Sequence, residues 1–285
     1  MSEKYNTNLH EVHCGADPAR PMGDGILIAG RRGKIFAQGY APAGTGPAPT
    51  AILFHGIPGN EQNLDLAQHL RREGFTVITF HYSGCWGSEG EYRIANNLED
   101  AETVFDFVMS RGCEWMRFDP DNLYVVGHSL GGFVAAHIMA RHSEVKKGAL
   151  IMPCDIGRFA TMSKEAADGV HAILTEASDW LIGTSAEIME AELVAHKDDY
   201  PLAGLAPKLA GRPLMVIGGT IDGATPPKDH CEPLENAIRA EEEKLLKSSP
   251  QNGKSSQLTS LRFETDHSSS DCRLALCDTV AEFLK

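Results

Sequence analysis

The sequence predicts an α/β fold: a mostly parallel sheet of about eight strands, helices on both faces, and a helical insertion late in the chain. Three observations carry this prediction. Short β-branched and apolar runs alternate with stretches of helical periodicity. Most of these runs are apolar throughout rather than at every second position, as in strands buried on both faces. About 60 residues separate the apolar run 148–152 from the run 213–218, far more than a single crossover requires.

In chain order, residues 1–22 are polar and weakly patterned and read as a surface-lying arm. Residues 25–29 and 34–40 flank Gly30-Arg31-Arg32-Gly33 and read as an antiparallel pair joined by a turn. The apolar run 50–54 leads into His55-Gly56-Ile57-Pro58. A helix over 61–73 follows, with Asn60 as its expected N-cap and Gly74 as its stop. The strand 75–80, a glycine-rich loop 81–90 and a helix from about 97 come next, with Leu98, Ala101, Val104, Phe105 and Val108 at helical spacing. The strand ending at Val126 and a helix over 130–142 precede the strand 148–152. Helical patterns over 164–181 and 186–196 fill the insertion, giving a core domain of residues 1–153 and 212–285 and a helical cap of 154–211 between the sixth and seventh strands. After the strand 213–218, a helix over 233–247, a polar loop 248–257, a strand 258–263 and a helix over 272–284 close the chain.

Composition narrows the function classes. With 285 residues, 42% of them hydrophobic, the chain can bury a large core. A formal net charge of −13 argues against nucleic-acid or anionic-membrane partners, which call for clustered Lys and Arg. The seven cysteines are scattered without CxxC spacing, so neither a disulfide framework nor a metal site is expected. The N-terminus lacks a basic start followed by an apolar core, and no stretch is long enough to span a membrane. The expectation is a soluble cytoplasmic protein without a cofactor; a homodimer is left open.

The chemistry concentrates in Gly127-His128-Ser129-Leu130-Gly131, which follows a strand and opens a helix. Such a turn strains the serine backbone and crowds neighbouring chain, so positions 127 and 131 require glycine. The hydroxyl is left exposed at a helix N-terminus, where negative charge is stabilised. A serine needs a neighbouring base, and that base needs a partner to fix its tautomer. His267, on the loop after the strand 258–263, is the candidate base. Asp222, on the loop after the strand 213–218, is the candidate acid, with Asp155 as its rival; Asp266 adjoins His267 too closely in sequence to orient it.

The elbow at Ser129 together with the earlier His55-Gly56, the later Asp222 and the last His267 resembles the α/β-hydrolase superfamily, over nearly the whole chain from about residue 25. Within it the chain looks most like small capped esterases of the serine-aminopeptidase and dienelactone-hydrolase-like groups. The resemblance implies an α/β-hydrolase fold with Ser129, Asp222 and His267 as the catalytic triad and the amides of Ile57 and Leu130 as the oxyanion hole. It implies no metal or organic cofactor. Trp86, Met162, Trp180 and Met189 are expected to line the substrate pocket, while His55 and His128 are read as bracing rather than catalytic. The expected activity is hydrolysis of carboxylic esters of small to medium acyl or aromatic acids through an acyl-enzyme. The alternatives are a peptidase or amidase, with Glu89 or Glu190 receiving a peptide ammonium, and a non-catalytic binding protein on the same fold.

Overall fold

A computed structural model describes residues 20–60, 63–248 and 256–285. Cys14, nearly all of the expected arm and most of the loop 248–257 lie outside the described residues. The eight strands are β1 (Met22–Gly30), β2 (Gly33–Ala41), β3 (Ala48–Phe54), β4 (Thr76–Phe80), β5 (Phe118–His128), β6 (Val145–Ile151), β7 (Leu214–Gly219) and β8 (Leu258–Phe263). They form one sheet in the order β1-β2-β4-β3-β5-β6-β7-β8. Only the β1–β2 and β2–β4 pairs are antiparallel.

The alternation of side chains along each strand divides the core into two layers. On one face Ala51, Leu53, Val77, Val126 and Ile217 pack with Leu66 and Leu70 of α1 (Leu64–Arg72) and with Leu276 and Val280 of the final helix (Arg273–Leu284). On the other, Ile52, Phe54, Ile78 and Val125 pack with α2 (Ile94–Met109) and α3 (Leu130–Arg141). Strands β3 to β7 run parallel between these layers, so their C-terminal ends meet at one edge, where α/β sheets bind ligands.

Three expectations are corrected. Helix α1 starts at Leu64 behind Asn63, not behind Asn60. The Asn63 backbone is left-handed at φ 53°, and its side chain makes no cap because its Oδ1 accepts from Arg273. Helix α2 starts at Ile94, a turn earlier than the apolar spacing marks, because Glu192 from the insertion accepts the Ile94 N–H at 3.0 Å. The first insertion helix, α4 (Lys164–Ser178), ends before Leu181, which bridges to Cys85 as an isolated antiparallel pair.

Helices α4 and α5 (Ala186–Ala195) each begin behind a serine, Ser163 and Ser185, whose hydroxyl accepts the amide of the third helical residue, Ala166 or Ile188. Between them the chain is stitched to the loop after β4: Ile182 N–H donates to Gly84 O at 2.9 Å and Tyr92 N–H to Ile182 O at 2.8 Å. The insertion is thereby fixed to the edge of the sheet where β3 and β5 end.

Candidate active site

Strand β5 delivers Ser129 to the sheet edge and α3 leaves directly from it. Ser129 adopts φ 56°, ψ −123°, a region that a residue with a side chain adopts only when its surroundings hold it. They do so here by hydrogen bonds: its N–H donates to Ile151 O at 3.0 Å, and its carbonyl accepts from Gly132 N–H and Cys154 N–H, each at 2.9 Å. The flanking glycines allow the approach. A Cβ on Gly127 would lie 2.0 Å from Gly131 O, and one on Gly131 would lie 2.0 Å from Phe54 O.

The loop after β3 passes directly beside the serine, since a Cβ on Gly56 would lie 2.9 Å from Ser129 Cβ. Ile57 and Leu130 therefore flank Ser129 from two sides, and both line the same cavity. As the first residue of α3, Leu130 carries an amide for which the helix itself has no acceptor.

His267 and Asp222 reach the same place from β8 and β7. His267 Nδ1 lies 2.8 Å from Asp222 Oδ2. Asp222 Oδ1 accepts the N–H groups of Ala224 and Thr225, both at 2.8 Å, and Oδ2 accepts the Thr225 hydroxyl at 2.6 Å. Burial pushes the Asp222 carboxyl up, but the hydrogen bonds from His267 and Thr225 outweigh it and hold the group well below the usual carboxylate range. From behind, His128 Nε2 donates to the His267 carbonyl at 2.7 Å, and burial lowers the His128 pKa to about 4, so that ring stays neutral. Ser129 and His267 both line a cavity of about 160 Å³.

Comparison with known proteins agrees with this architecture. Residues 49–179 match the family described as alpha/beta hydrolase fold. An esterase from Pyrococcus furiosus superposes with a TM-score of 0.63 at 14% identity, covering 93% of this chain and 92% of that one. The chain has the α/β-hydrolase fold. At such identity the structural likeness establishes the fold alone. Among curated relatives, the uncharacterised protein YfhR of Escherichia coli is 26% identical over 167 residues, 57% of each chain. A lysophosphatidylserine lipase of Danio rerio is 29% identical over 108 residues, 37% of this chain and 27% of that one. The match thus spans little more than half the length of the first relative and about a quarter of the second.

Within this hydrolase fold, Asp155 also lines the cavity but, among the described residues, makes no hydrogen bond to His267. It accepts the Leu202 N–H at 3.1 Å, and burial raises its pKa to about 6, with no bond from a histidine to lower it. Of the four residues expected in the pocket, Met162 lines the cavity with Ser129. The other three do not. Trp86 and Trp180 stack on each other at 5.4 Å and line a separate outer groove of about 320 Å³ with Pro58, Asn60 and Glu176. Met189 is fully buried in the core, because α5 turns that face inward. The cavity walls come instead from Ile94, Ile156, Phe159, Val170, Leu174 and Leu193. Thr225 and His230, also in the wall, carry no motif that sequence reasoning can detect.

The carboxylates considered for a peptide ammonium are engaged elsewhere. Glu89 accepts the Lys34 N–H at 2.8 Å, and Glu190 pairs with His171 at 2.8 Å. Among the described residues, no helix is long and apolar enough to cross a membrane, and no group of His, Cys, Asp and Glu converges to hold a metal.

Proposed function

We propose that this protein is a serine hydrolase that cleaves carboxylic esters of small to medium acids through an acyl-enzyme. The observation that carries the reading is the convergence, on one mainly apolar cavity, of a backbone-strained serine at a strand-to-helix turn and a histidine whose Nδ1 is held by a buried carboxylate.

With Nδ1–H donated to Asp222, His267 presents the lone pair of Nε2. That nitrogen takes the Ser129 proton as Oγ attacks the ester carbonyl, and the carbonyl oxygen becomes an oxyanion held by the amides of Ile57 and Leu130. Collapse expels the alcohol, which receives the proton from His267. A water then repeats the sequence in reverse, giving the acid and free Ser129. Residues 154–211 act as the cap, roofing the cavity and excluding bulk water from the acyl group.

Cavity size supports the acyl range. An apolar protein cavity of about 150 Å³ accommodates benzene, so 160 Å³ corresponds to an acyl chain of about six carbons. Ester rather than peptide cleavage is supported by the engagement of Glu89 and Glu190 in other contacts and by the apolar wall. The test compares kcat/KM for 4-nitrophenyl esters of increasing chain length with that for aminoacyl anilides. The ester reading requires the hexanoate-sized ester to exceed every anilide by orders of magnitude; an anilide with a free amino terminus turned over faster than all esters would replace it with the peptidase reading.

A further inference from the structure

One group in the cavity wall is left unused by this mechanism. His230 ends a one-turn helix (Pro227–His230) and is only 5% exposed, yet it lines the cavity that holds Ser129 and His267. Its Nδ1 accepts the backbone N–H of Asp155 at 3.0 Å. An amide can only donate, so Nδ1 carries no proton in this contact. Burial lowers the His230 pKa to about 4, so at neutral pH the ring keeps a single proton, and that proton is on Nε2. The only hydrogen bond His230's ring makes among the described residues is the one at Nδ1, and Nε2 is not among the fully enclosed unsatisfied atoms. The Nε2–H donor is thus unpaired but reachable.

The surroundings indicate what it meets. Against the apolar cavity lies a second chamber of about 410 Å³, and the two share His230, Met162, Val170, Ile173 and Ala224. The second chamber is the more polar of the two, with Arg158, Thr161, Ser163 and Asp229 in its wall beside apolar side chains, and Arg158 is matched in charge by Asp229 at 2.9 Å. His230 therefore marks the boundary where an apolar channel leading from Ser129 opens into a wider, more polar space whose opposite charges are paired. An all-hydrocarbon chain reaching that point would bury the donor with no acceptor, which is unfavourable.

We propose that His230 is a specificity-determining residue that donates Nε2–H to a neutral oxygen acceptor, a ketone, ether or hydroxyl, carried on the acyl chain of the substrate. This rests on the ester-hydrolase reading and narrows it: the preferred substrates are esters of oxygenated rather than plain aliphatic acids.

The experiment uses the whole protein with 4-nitrophenyl hexanoate, 4-oxohexanoate and 5-oxohexanoate, each corrected for spontaneous hydrolysis. One of the two keto esters is expected to exceed hexanoate in kcat/KM by about tenfold, a single neutral hydrogen bond in a site that water can also reach. Two variants separate recognition from support. His230→Asn keeps an acceptor near the position of Nδ1 for Asp155 N–H and withdraws the donor at Nε2, so the keto preference should vanish. His230→Gln keeps a donor near Nε2 and loses the acceptor, so it should retain a preference. A keto preference kept in His230→Asn, or equal kcat/KM for all three esters in the unmodified protein, overturns the assignment while leaving ester hydrolysis standing. Failure to hydrolyse any of the three overturns the ester-hydrolase reading, and this inference with it.

Discussion

The Asp222→Asn substitution can be followed atom by atom. Oδ1 accepts two backbone N–H groups, from Ala224 and Thr225, both at 2.8 Å. An asparagine keeps those bonds only by leaving its carbonyl oxygen there, which places its NH₂ where Oδ2 faces His267 Nδ1 at 2.8 Å. Two donors would then oppose each other unless His267 shifts its proton to Nε2. That tautomer satisfies the introduced amide but removes the lone pair that would deprotonate Ser129. It also leaves no negative charge to stabilise the imidazolium formed in the attack. The expected loss in kcat is on the order of 10⁴, or about 5.5 kcal/mol of barrier. The backbone contacts are kept, so the Tm should move by only a few degrees. Asp155→Asn, which removes a carboxylate that contacts the Leu202 amide instead of a histidine, should cost less than about tenfold. The assay is single-ester turnover of both purified variants alongside thermal melts. Asp222→Asn retaining more than a tenth of the activity, or Asp155→Asn losing more than Asp222→Asn, would refute this reasoning and move the acid to Asp155.

Packing and pH give further tests. Gly127→Ala places a Cβ 2.0 Å from the Gly131 carbonyl oxygen, a backbone atom that cannot rotate away, so melts should show a loss beyond the ~1–3 kcal/mol of ordinary overpacking. Gly169→Ala, inside α4 with no atom beyond its chain neighbours and its own helix backbone within 4 Å of the added methyl, should instead gain about 0.5–1 kcal/mol; equal effects for the two would contradict the close approach at the elbow. Burial holds His55 near pKa 3 and His81, His128, His137 and His230 near 4, all below the unfolded value. As pH falls from about 6.5 toward 4, the unfolded chain takes up protons first and stability is lost, by at most about 2 kcal/mol per histidine at pH 5. Asp155, raised to about 6, and Asp100, raised by burial, oppose this, while His69, lowered by burial, adds to the loss, so the histidines outnumber the carboxylates six to two. The Tm should fall by on the order of 10 °C between pH 7 and pH 5, and a flat profile would contradict the neutral buried histidines. Across saturated 4-nitrophenyl esters, kcat/KM should peak near six carbons and decline by ten; a rise continuing to long chains would show that the cavity does not limit the acyl group.

The central strands were legible because burial on both faces leaves a continuous apolar record: the strand read at residues 213–218 is β7 (Leu214–Gly219), buried at every position. The elbow was legible because its glycines and serine fall within five residues of one turn, and the closest approach at Gly127 is to Gly131 O within that same turn. Pocket residues were not, because helical periodicity marks a buried face without saying whether core or cavity lies opposite. Met189 follows the same spacing as cavity residues, yet it faces the core, while Trp180 falls past the end of α4 and stacks on Trp86 outside the cavity. His230 is invisible for another reason. Its role depends on a contact with Asp155, 75 residues earlier in the chain, and nothing in Pro226-Pro227-Lys228-Asp229-His230 signals it. The α1 start was misplaced because Asn60 and Asn63 offer the same capping chemistry, and only the contact with Arg273, 210 residues away, shows that Asn63 uses its side chain elsewhere.

The central claim is that Ser129 is an activated nucleophile, and covalent labelling tests it most directly. A fluorophosphonate reagent incubated with the folded protein should add one phosphonyl group, located by peptide mass spectrometry on the segment containing Ser129. Ester hydrolysis should disappear in proportion. Ser129→Ala should neither label nor hydrolyse, with an unchanged melting profile, since it removes one oxygen and none of the backbone bonds that hold the turn. Undiminished labelling or hydrolysis in Ser129→Ala, or no labelling of the folded unmodified protein, would contradict the account.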